Sequence, residues 1–285
     1  MRRPFQQVDV FTDRPYFGNA LAVVLDGTGL STDEMARFAR WTNLSETTFL
    51  LPPRHAEADY LVRIFTPAGE LPFAGHPTLG SCHAWLLAGG MPKHTDVVVQ
   101  ECGAGLVQVR RFGHSLAFAA PPLVRSGPVE PELAAEVMRA LGVEPGQVVD
   151  MTWADNGPGW VAVELGDAEQ VLALEPHFVD QKVGVVAPHL DLGVVGRHAE
   201  GAQADFEVRA FFPVGRELRE DPVTGSLNAS VAQWLLGKGR ARAPYTVRQG
   251  TALGRDGRVT ITADADGTIW VGGDVVTCVS GEVEL

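Results

Sequence analysis

The chain has no clustered positive charge, no long apolar run and almost no cysteine, and each absence removes a class of function. Its 285 residues carry 23 Lys and Arg against 35 Asp and Glu, a formal net charge of −12. Nucleic-acid binding needs grouped cations that displace phosphate counterions. The nearest groups here, Arg110-Arg111 and the stretch from Lys238 to Arg242, are too short. No nucleic-acid partner is expected, and an anionic ligand must be held by a locally built site rather than drawn in by overall charge. A membrane-spanning helix needs about 18 or more apolar residues in a row, and the sequence has no such run. Nor does an apolar stretch follow Arg2-Arg3, so no secretion signal is expected. The three cysteines, Cys82, Cys102 and Cys278, are odd in number and lack metal or redox spacing. A reducing, cytoplasmic compartment is the simplest reading. Phosphate-binding glycine loops and Gly-x-Ser-x-Gly are also missing. His76 and His83 are seven apart (83 − 76 = 7) on one helix face, but nothing supplies a third ligand, so no metal is expected.

What is present begins with a duplication. Arg63-Ile64-Phe65-Thr66-Pro67-Ala68-Gly69 returns as Arg209-Ala210-Phe211-Phe212-Pro213-Val214-Gly215, at an offset of 209 − 63 = 146. Without a gap, Gly75-His76-Pro77-Thr78 then falls on Asp221-Pro222-Val223-Thr224. Helix-like stretches follow in both copies, Leu79 to Gly89 and Leu227 to Gly237, each containing Trp-Leu-Leu. Two related halves predict a pseudo-two-fold molecule in which matched loop-to-helix elements face each other across a cleft. The length suits two domains of roughly 100–150 residues.

Strand patterns dominate both halves. Gln7 to Phe11, Asn19 to Leu25, Thr47 to Leu51, Asp59 to Phe65, Asp96 to Gln100, Leu106 to Arg110 and Ser115 to Ala119 read as strands in the first half. Ser31 with Glu34 forms a capping-box signature that opens a helix through Trp41. Pro121-Pro122 and Ser126-Gly127-Pro128 mark the joint between halves. A helix from Glu132 to Leu141 opens the second half. Strands follow at Trp160 to Leu165, Val183 to Val186, Phe206 to Phe212 and Tyr245 to Arg248. Val259 to Ala263 and Thr268 to Val271 are read as a hairpin turning at Asp266-Gly267. This is an α+β pattern, with each half a mainly antiparallel sheet packed on a helix.

Pro77 and Pro222 each stand where a helix would start, since proline suits the first helical position. Helix starts expose unpaired N–H groups and the positive dipole end, and so bind carboxylate or phosphate without Lys or Arg. The same pattern also fits helices that are merely capped and packed. Polar groups at these starts are His76, Asp221 and Ser226, of which Asp221 and Ser226 also read as caps. Glu46, between a helix and a strand, reads either as an acid raised in pKa by partial burial or as a surface turn residue. Asn19 either orients a ligand or stabilises a turn.

Three segments together, Gly75-His76-Pro77-Thr78-Leu79-Gly80, Ser45-Glu46-Thr47-Thr48-Phe49 and Glu220-Asp221-Pro222-Val223-Thr224-Gly225-Ser226, resemble the PhzF-like isomerases of phenazine biosynthesis. Val8-Asp9-Val10-Phe11-Thr12, Gly18-Asn19-Ala20 and Arg248-Gln249-Gly250 fit as well, so the resemblance spans nearly the whole chain. It implies a diaminopimelate epimerase-like fold of two pseudo-symmetric domains, each a sheet wrapped around a central helix. The expected domains are residues 1–120, with the C-terminal strand 273–285 crossing back, and residues 121–272. The resemblance further implies a homodimer, no cofactor and no metal. Glu46 is then similar to the family's proton-transferring acid, with His76 and Asp221 as the other catalytic positions. Asn19, Ser45, Gly75, Pro77, Thr78, Gly225 and Ser226 become the substrate-binding positions. Related epimerases and racemases use a cysteine in each half at these loops. Gly75 and Asp221 look like the matching positions here, which speaks against a two-thiol mechanism. The expected activity is a cofactor-independent proton shift between carbons of a small unsaturated carboxylate in secondary metabolism. The alternatives are epimerisation by Glu46 and Asp221 as opposed bases, and a non-catalytic metabolite-binding protein.

Overall fold

The computed structural model describes residues 1–176, 179–180, 184–185, 190–214 and 217–285. The chain divides into two compact units, residues 1–119 with 270–285, and residues 120–269. Among the described residues, no helix is long and apolar enough to cross a membrane.

The first unit contains β1 (Arg2–Val10), β2 (Asn19–Val24), α1 (Thr32–Thr42), β3 (Glu46–Leu51), β4 (Tyr60–Phe65), β5 (Glu70–Leu71), α2 (Gly75–Leu87), β6 (Val97–Cys102), β7 (Gly105–Phe112) and β8 (Ser115–Ala119). Strand β1 runs antiparallel to β2, β2 parallel to β3, and β3 antiparallel to β4. Strand β4 is flanked by antiparallel β5 and parallel β6, after which β6, β7 and β8 continue antiparallel. Helix α1 begins as its capping box requires. Ser31 Oγ accepts from Glu34 N, and the Glu34 carboxylate accepts from Ser31 N at 2.8 Å, worth about 1 kcal/mol. Its apolar stripe, Met35 and Ala39, packs on Val24, Phe49 and Phe65. Helix α2 differs, because a helix apolar on most faces must be enclosed. It packs against β1, β2, β3, β6, β7 and β8. A Cβ on Gly80 would lie 2.6 Å from Leu21 Cδ2, so only glycine allows this approach to β2.

The second unit contains β9 (Arg125–Pro128), α3 (Pro131–Leu141), β10 (Val148–Asp155), β11 (Trp160–Leu165), α4 (Ala168–Leu172), β12 (Val179–Asp180), β13 (Gly184–Val185), β14 (Asp191–Arg197), β15 (Phe206–Val214), β16 (Glu217–Asp221), α5 (Gly225–Gly237), β17 (Tyr245–Gln249) and β18 (Gly257–Ala263). Two last strands, β19 (Ile269–Gly273) and β20 (Val275–Glu284), carry the chain back to the first unit. There β19 pairs with β8 and β20 with β1. Pairing of β10, β11, β14, β15, β16, β17 and β18 repeats the pattern of β1 to β7, down to the parallel steps β11–β14 and β15–β17. The expected strand from Val183 to Val186 is only partly seen, as β13, and residues 183 and 186 lie outside the described residues.

The duplication persists in side chains. Arg63 donates from Nε and Nη2 to both oxygens of Glu70, and Arg209 does the same to Glu220. The partners are 7 residues apart in the first unit and 11 in the second. The hairpin between β15 and β16 is therefore four residues longer (11 − 7 = 4), and its Gly215 lies outside the described residues. Beyond it the offset becomes 225 − 75 = 150, because α2 starts at Gly75 and α5 at Gly225. The ungapped match of Gly75-His76-Pro77-Thr78 to Asp221-Pro222-Val223-Thr224 is thereby corrected: Gly75-His76 corresponds to Gly225-Ser226. Neither proline opens its helix. Pro77 is the third residue of α2, where a missing N–H still costs no helical bond, and Pro222 precedes α5. The expected two-residue hairpin also lengthens. Asp264 N donates to the Thr268 carbonyl, and the Asp266 side chain accepts from Thr268 N, closing a turn over residues 264–268.

Candidate active site

In the first unit the start of α2 meets the starts of β2 and β3. Asn19 opens β2 and Glu46 opens β3, one residue beyond the half-buried Ser45; Leu21 stands opposite Glu46 in the parallel register. His76 is the second residue of α2. Its Nε2 lies 3.3 Å from Glu46 Oε2, and its Nδ1 lies 3.5 Å from Asn19 Nδ2. Asn19 and His76 are buried, and the Glu46 side chain is 15% exposed. Burial holds the His76 ring neutral, with its pKa lowered to about 3. The contact with Glu46 is thus not an ion pair. An amide N–H directed at Nδ1 places the ring proton on Nε2, toward the carboxylate.

Two further features hold this corner. Asp9, buried on β1, accepts from Gly18 N at 2.9 Å and sets the turn into β2. A side chain on Gly18 would come within 2.2 Å of the Val10 carbonyl, so this turn requires glycine. The residue before α2 is Ala74, whose side chain caps nothing, so the Gly75 and His76 N–H groups are not claimed by an N-cap side chain. Thr78 is placed differently from expectation. It is fully buried, and its hydroxyl accepts from Gln100 Nε2 and donates to the Ala74 carbonyl. It braces the helix start from inside.

In the second unit Asp221 ends β16, and Gly225-Ser226 open α5. Thr224 does not cap α5 with its side chain; its hydroxyl donates to Asp221 Oδ2 at 2.6 Å. Ser226 Oγ accepts from Trp160 Nε1 at 3.1 Å, and the Ser226 carbonyl accepts from Asn156 Nδ2 at 2.9 Å. Asp191 carries a carboxyl raised to about pKa 7, chiefly by burial and then by the charges of Asp155 and Asp221. Its position is informative. Phe49 faces Arg63 and Val194 faces Arg209 across matching ladders. Counting back three residues from each (49 − 46 = 3, 194 − 191 = 3) makes Asp191 the counterpart of Glu46.

The structure therefore brings Glu46, His76, Asn19 and Gly75 together in one unit, and Asp221, Thr224, Gly225 and Ser226 in the other. Sequence reasoning missed Asp9, Asn156, Trp160, Thr224 and Asp191. A signal existed for Asp191, because it precedes the repeated arginine by 209 − 191 = 18 residues, as Glu46 does by 63 − 46 = 17. Glycines at 193 and 196 weakened the strand pattern around it. Among the described residues, no three His, Cys, Asp or Glu side chains are grouped so as to hold a metal.

Comparison with known proteins agrees on one family. The family described as phenazine biosynthesis-like protein matches residues 8–281. Antisense-enhancing sequence 1 of Schizosaccharomyces pombe is 36% identical, over 98% of this chain and 97% of that protein. Trans-2,3-dihydro-3-hydroxyanthranilate isomerase of Pseudomonas fluorescens is 32% identical, over 87% of this chain and 86% of that enzyme. The crystal structure of a PhzF-family protein from Enterococcus faecalis superposes with a TM-score of 0.80 at 25% identity, covering 100% of both chains.

Proposed function

The chain belongs to the phenazine biosynthesis-like (PhzF) family of isomerases, and on that premise we propose that it shifts a proton between carbons of a small unsaturated carboxylate without a cofactor. The observation that carries this reading is the half-buried Glu46 carboxyl 3.3 Å from a neutral His76 at the uncapped start of α2. A positioned carboxylate removes a C–H proton and returns it at another carbon, so protons and electrons balance within one substrate. The helix-start N–H groups of Gly75 and His76 would hold the substrate carboxylate or the enolate-like charge that develops. His76, kept neutral, lends an N–H donor without adding charge beside the base. In the second unit, Asp221 and Ser226 are assigned to proton handling and ligand binding. A role in secondary metabolism and a homodimeric, cytoplasmic state complete the proposal.

The test pairs wild type with Glu46→Gln and follows trans-2,3-dihydro-3-hydroxyanthranilate and a panel of unsaturated and amino-substituted acids by NMR in D2O. Wild type should move a double bond or take up deuterium at carbon. The variant should keep its fold and ligand affinity while turnover falls by about 10²–10⁴. Unchanged turnover rejects Glu46 as the base, and no exchange by wild type across the panel favours a metabolite-binding protein. A second reading, epimerisation, is favoured by Asp191, a second acidic residue at the duplicate of the Glu46 position. Loss of chirality without double-bond movement would select it.

A further inference from the structure

Gln249 ends β17 and is completely buried. Its Oε1 accepts from Thr224 N at 3.0 Å and from Asn228 Nδ2 at 2.8 Å. Its Nε2 donates to the Asp221 carbonyl at 3.2 Å and to Thr224 Oγ1 at 2.9 Å. One amide thus uses two lone pairs and two protons. Its orientation is unambiguous, because the backbone N–H of Thr224 can only donate and must face Oε1. Nε2 then necessarily faces the Thr224 hydroxyl. A hydroxyl that accepts from an amide sends its single proton elsewhere, and the acceptor here is Asp221 Oδ2 at 2.6 Å.

The neighbouring residues tighten the same loop. Gly250 has φ +90°, and a Cβ on it would fall 2.6 Å from the Pro222 carbonyl. Asn228 adds a bond from Nδ2 to the Thr224 carbonyl at 2.8 Å. The backbone from Asp221 to Thr224 is thereby gripped at both ends from β17 and α5.

We infer that Gln249 is the positioning residue for Asp221, acting through the Thr224 hydroxyl: it fixes the direction of that O–H and so the orientation of the Asp221 carboxylate. Gln249 bonds residue 221 at its backbone carbonyl and reaches its carboxylate by way of the Thr224 hydroxyl. It differs in this from Gln100, which bonds Thr78 and Tyr60 but whose threonine spends its proton on a backbone carbonyl. This inference rests on the proposed role of Asp221 in turnover.

The test uses the full chain with Gln249→Met, Thr224→Val, Thr224→Ser and the double variant Gln249→Met/Thr224→Val. Kinetics use trans-2,3-dihydro-3-hydroxyanthranilate as probe, and each variant is crystallised. Thr224→Val should lower kcat about 10–100-fold, the worth of one hydrogen bond to a charged group, with KM nearly unchanged. Thr224→Ser should restore kcat to within about threefold, since it returns only the hydroxyl. Gln249→Met should resemble Thr224→Val, and the double variant should be no worse than the poorer single one, because both act through one bond. Multiplicative losses, or wild-type kcat in Gln249→Met or Thr224→Val, overturn the inference. If Gln249→Met does not fold, Thr224→Val and Thr224→Ser decide it alone. If wild type does not turn over the probe, that outcome counts against the proposed function, and the crystal structures decide this inference independently. A displaced Asp221 carboxylate in Gln249→Met and Thr224→Val supports it; an Asp221 side chain unmoved in both overturns it.

Discussion

The two units share a backbone plan but spend it on different chemistry. Their arginine clamps match atom for atom, Arg63 on Glu70 and Arg209 on Glu220. Around the helix starts only part of the polar network is repeated: Thr78 Oγ1 and its counterpart Asn228 Nδ2 donate to the carbonyls of Ala74 and Thr224, and each also bonds a glutamine, Gln100 or Gln249. His76 in the first unit corresponds to Ser226 in the second, Glu46 to Asp191, and Leu71 to Asp221 (221 − 71 = 150). Residues that hold strands together are retained, whereas residues that could meet a ligand have diverged. Duplication thus supplies the frame, and the chemistry is local to each copy.

Several substitutions would break or sharpen that contrast. The largest effect is expected from Glu46→Gln, with turnover falling about 10²–10⁴ while the matching change Asp191→Asn leaves more activity. Rates under saturating probe would measure both, and an equal loss would mean that the two carboxyls are functionally equivalent. Next comes Arg209→Met. Arg209 is 6% exposed, and its Nη1 also donates to the Val171 and Leu174 carbonyls. Its removal should cost about 3–5 kcal/mol by urea unfolding. Arg63→Met should cost only about 1 kcal/mol or less, since Arg63 is 22% and Glu70 38% exposed.

Two pH effects share one origin, burial, and run in opposite directions. Asp191 has a folded value of about 7 against an ordinary 3.8. Between these values the folded state holds the extra proton, so its contribution to stability falls as pH rises from about 4 to 7. Asp191→Asn should therefore gain about 1–3 kcal/mol over wild type at pH 8 and nothing below pH 4, as thermal unfolding across pH would show. His76 is displaced downward, from 6.5 to about 3. Below the ordinary value the unfolded chain takes the proton and the folded one does not, so stability falls as pH drops through this range. The ring resonances of His76 should accordingly stay constant from pH 8 to pH 5. Titration near 6.5 would contradict its burial beside Glu46.

Legibility followed the range of the interaction that made each feature. Helix α1 was readable because Ser31 and Glu34 are three residues apart and bond directly. Short strands such as Trp160–Leu165 and Ser115–Ala119 were readable from alternation and apolar runs alone. The starts of α2 and α5 do not follow from proline's preference for the first helical position. The structure instead opens both helices at glycine, behind an extended residue whose side chain caps neither helix. Glu46, His76 and Asn19 were singled out as separate residues, but 76 − 46 = 30 positions separate the first two, and only the parallel pairing of β2 with β3 over α2 makes them neighbours.

From the order of residues alone came the duplication, the α+β alternation, the absence of basic and long apolar segments, and the residue types gathered near two helix starts. These depend on local periodicity and composition, which a chain carries without folding. The tertiary structure alone decided that the second copy is shifted by four residues after its longer hairpin. It also decided that His76 is neutral and that a glutamine on β17 steers an aspartate on β16. Each of these turns on desolvation or on a hydrogen-bond partner from a distant segment, and neither exists until the sheet has closed around its helix.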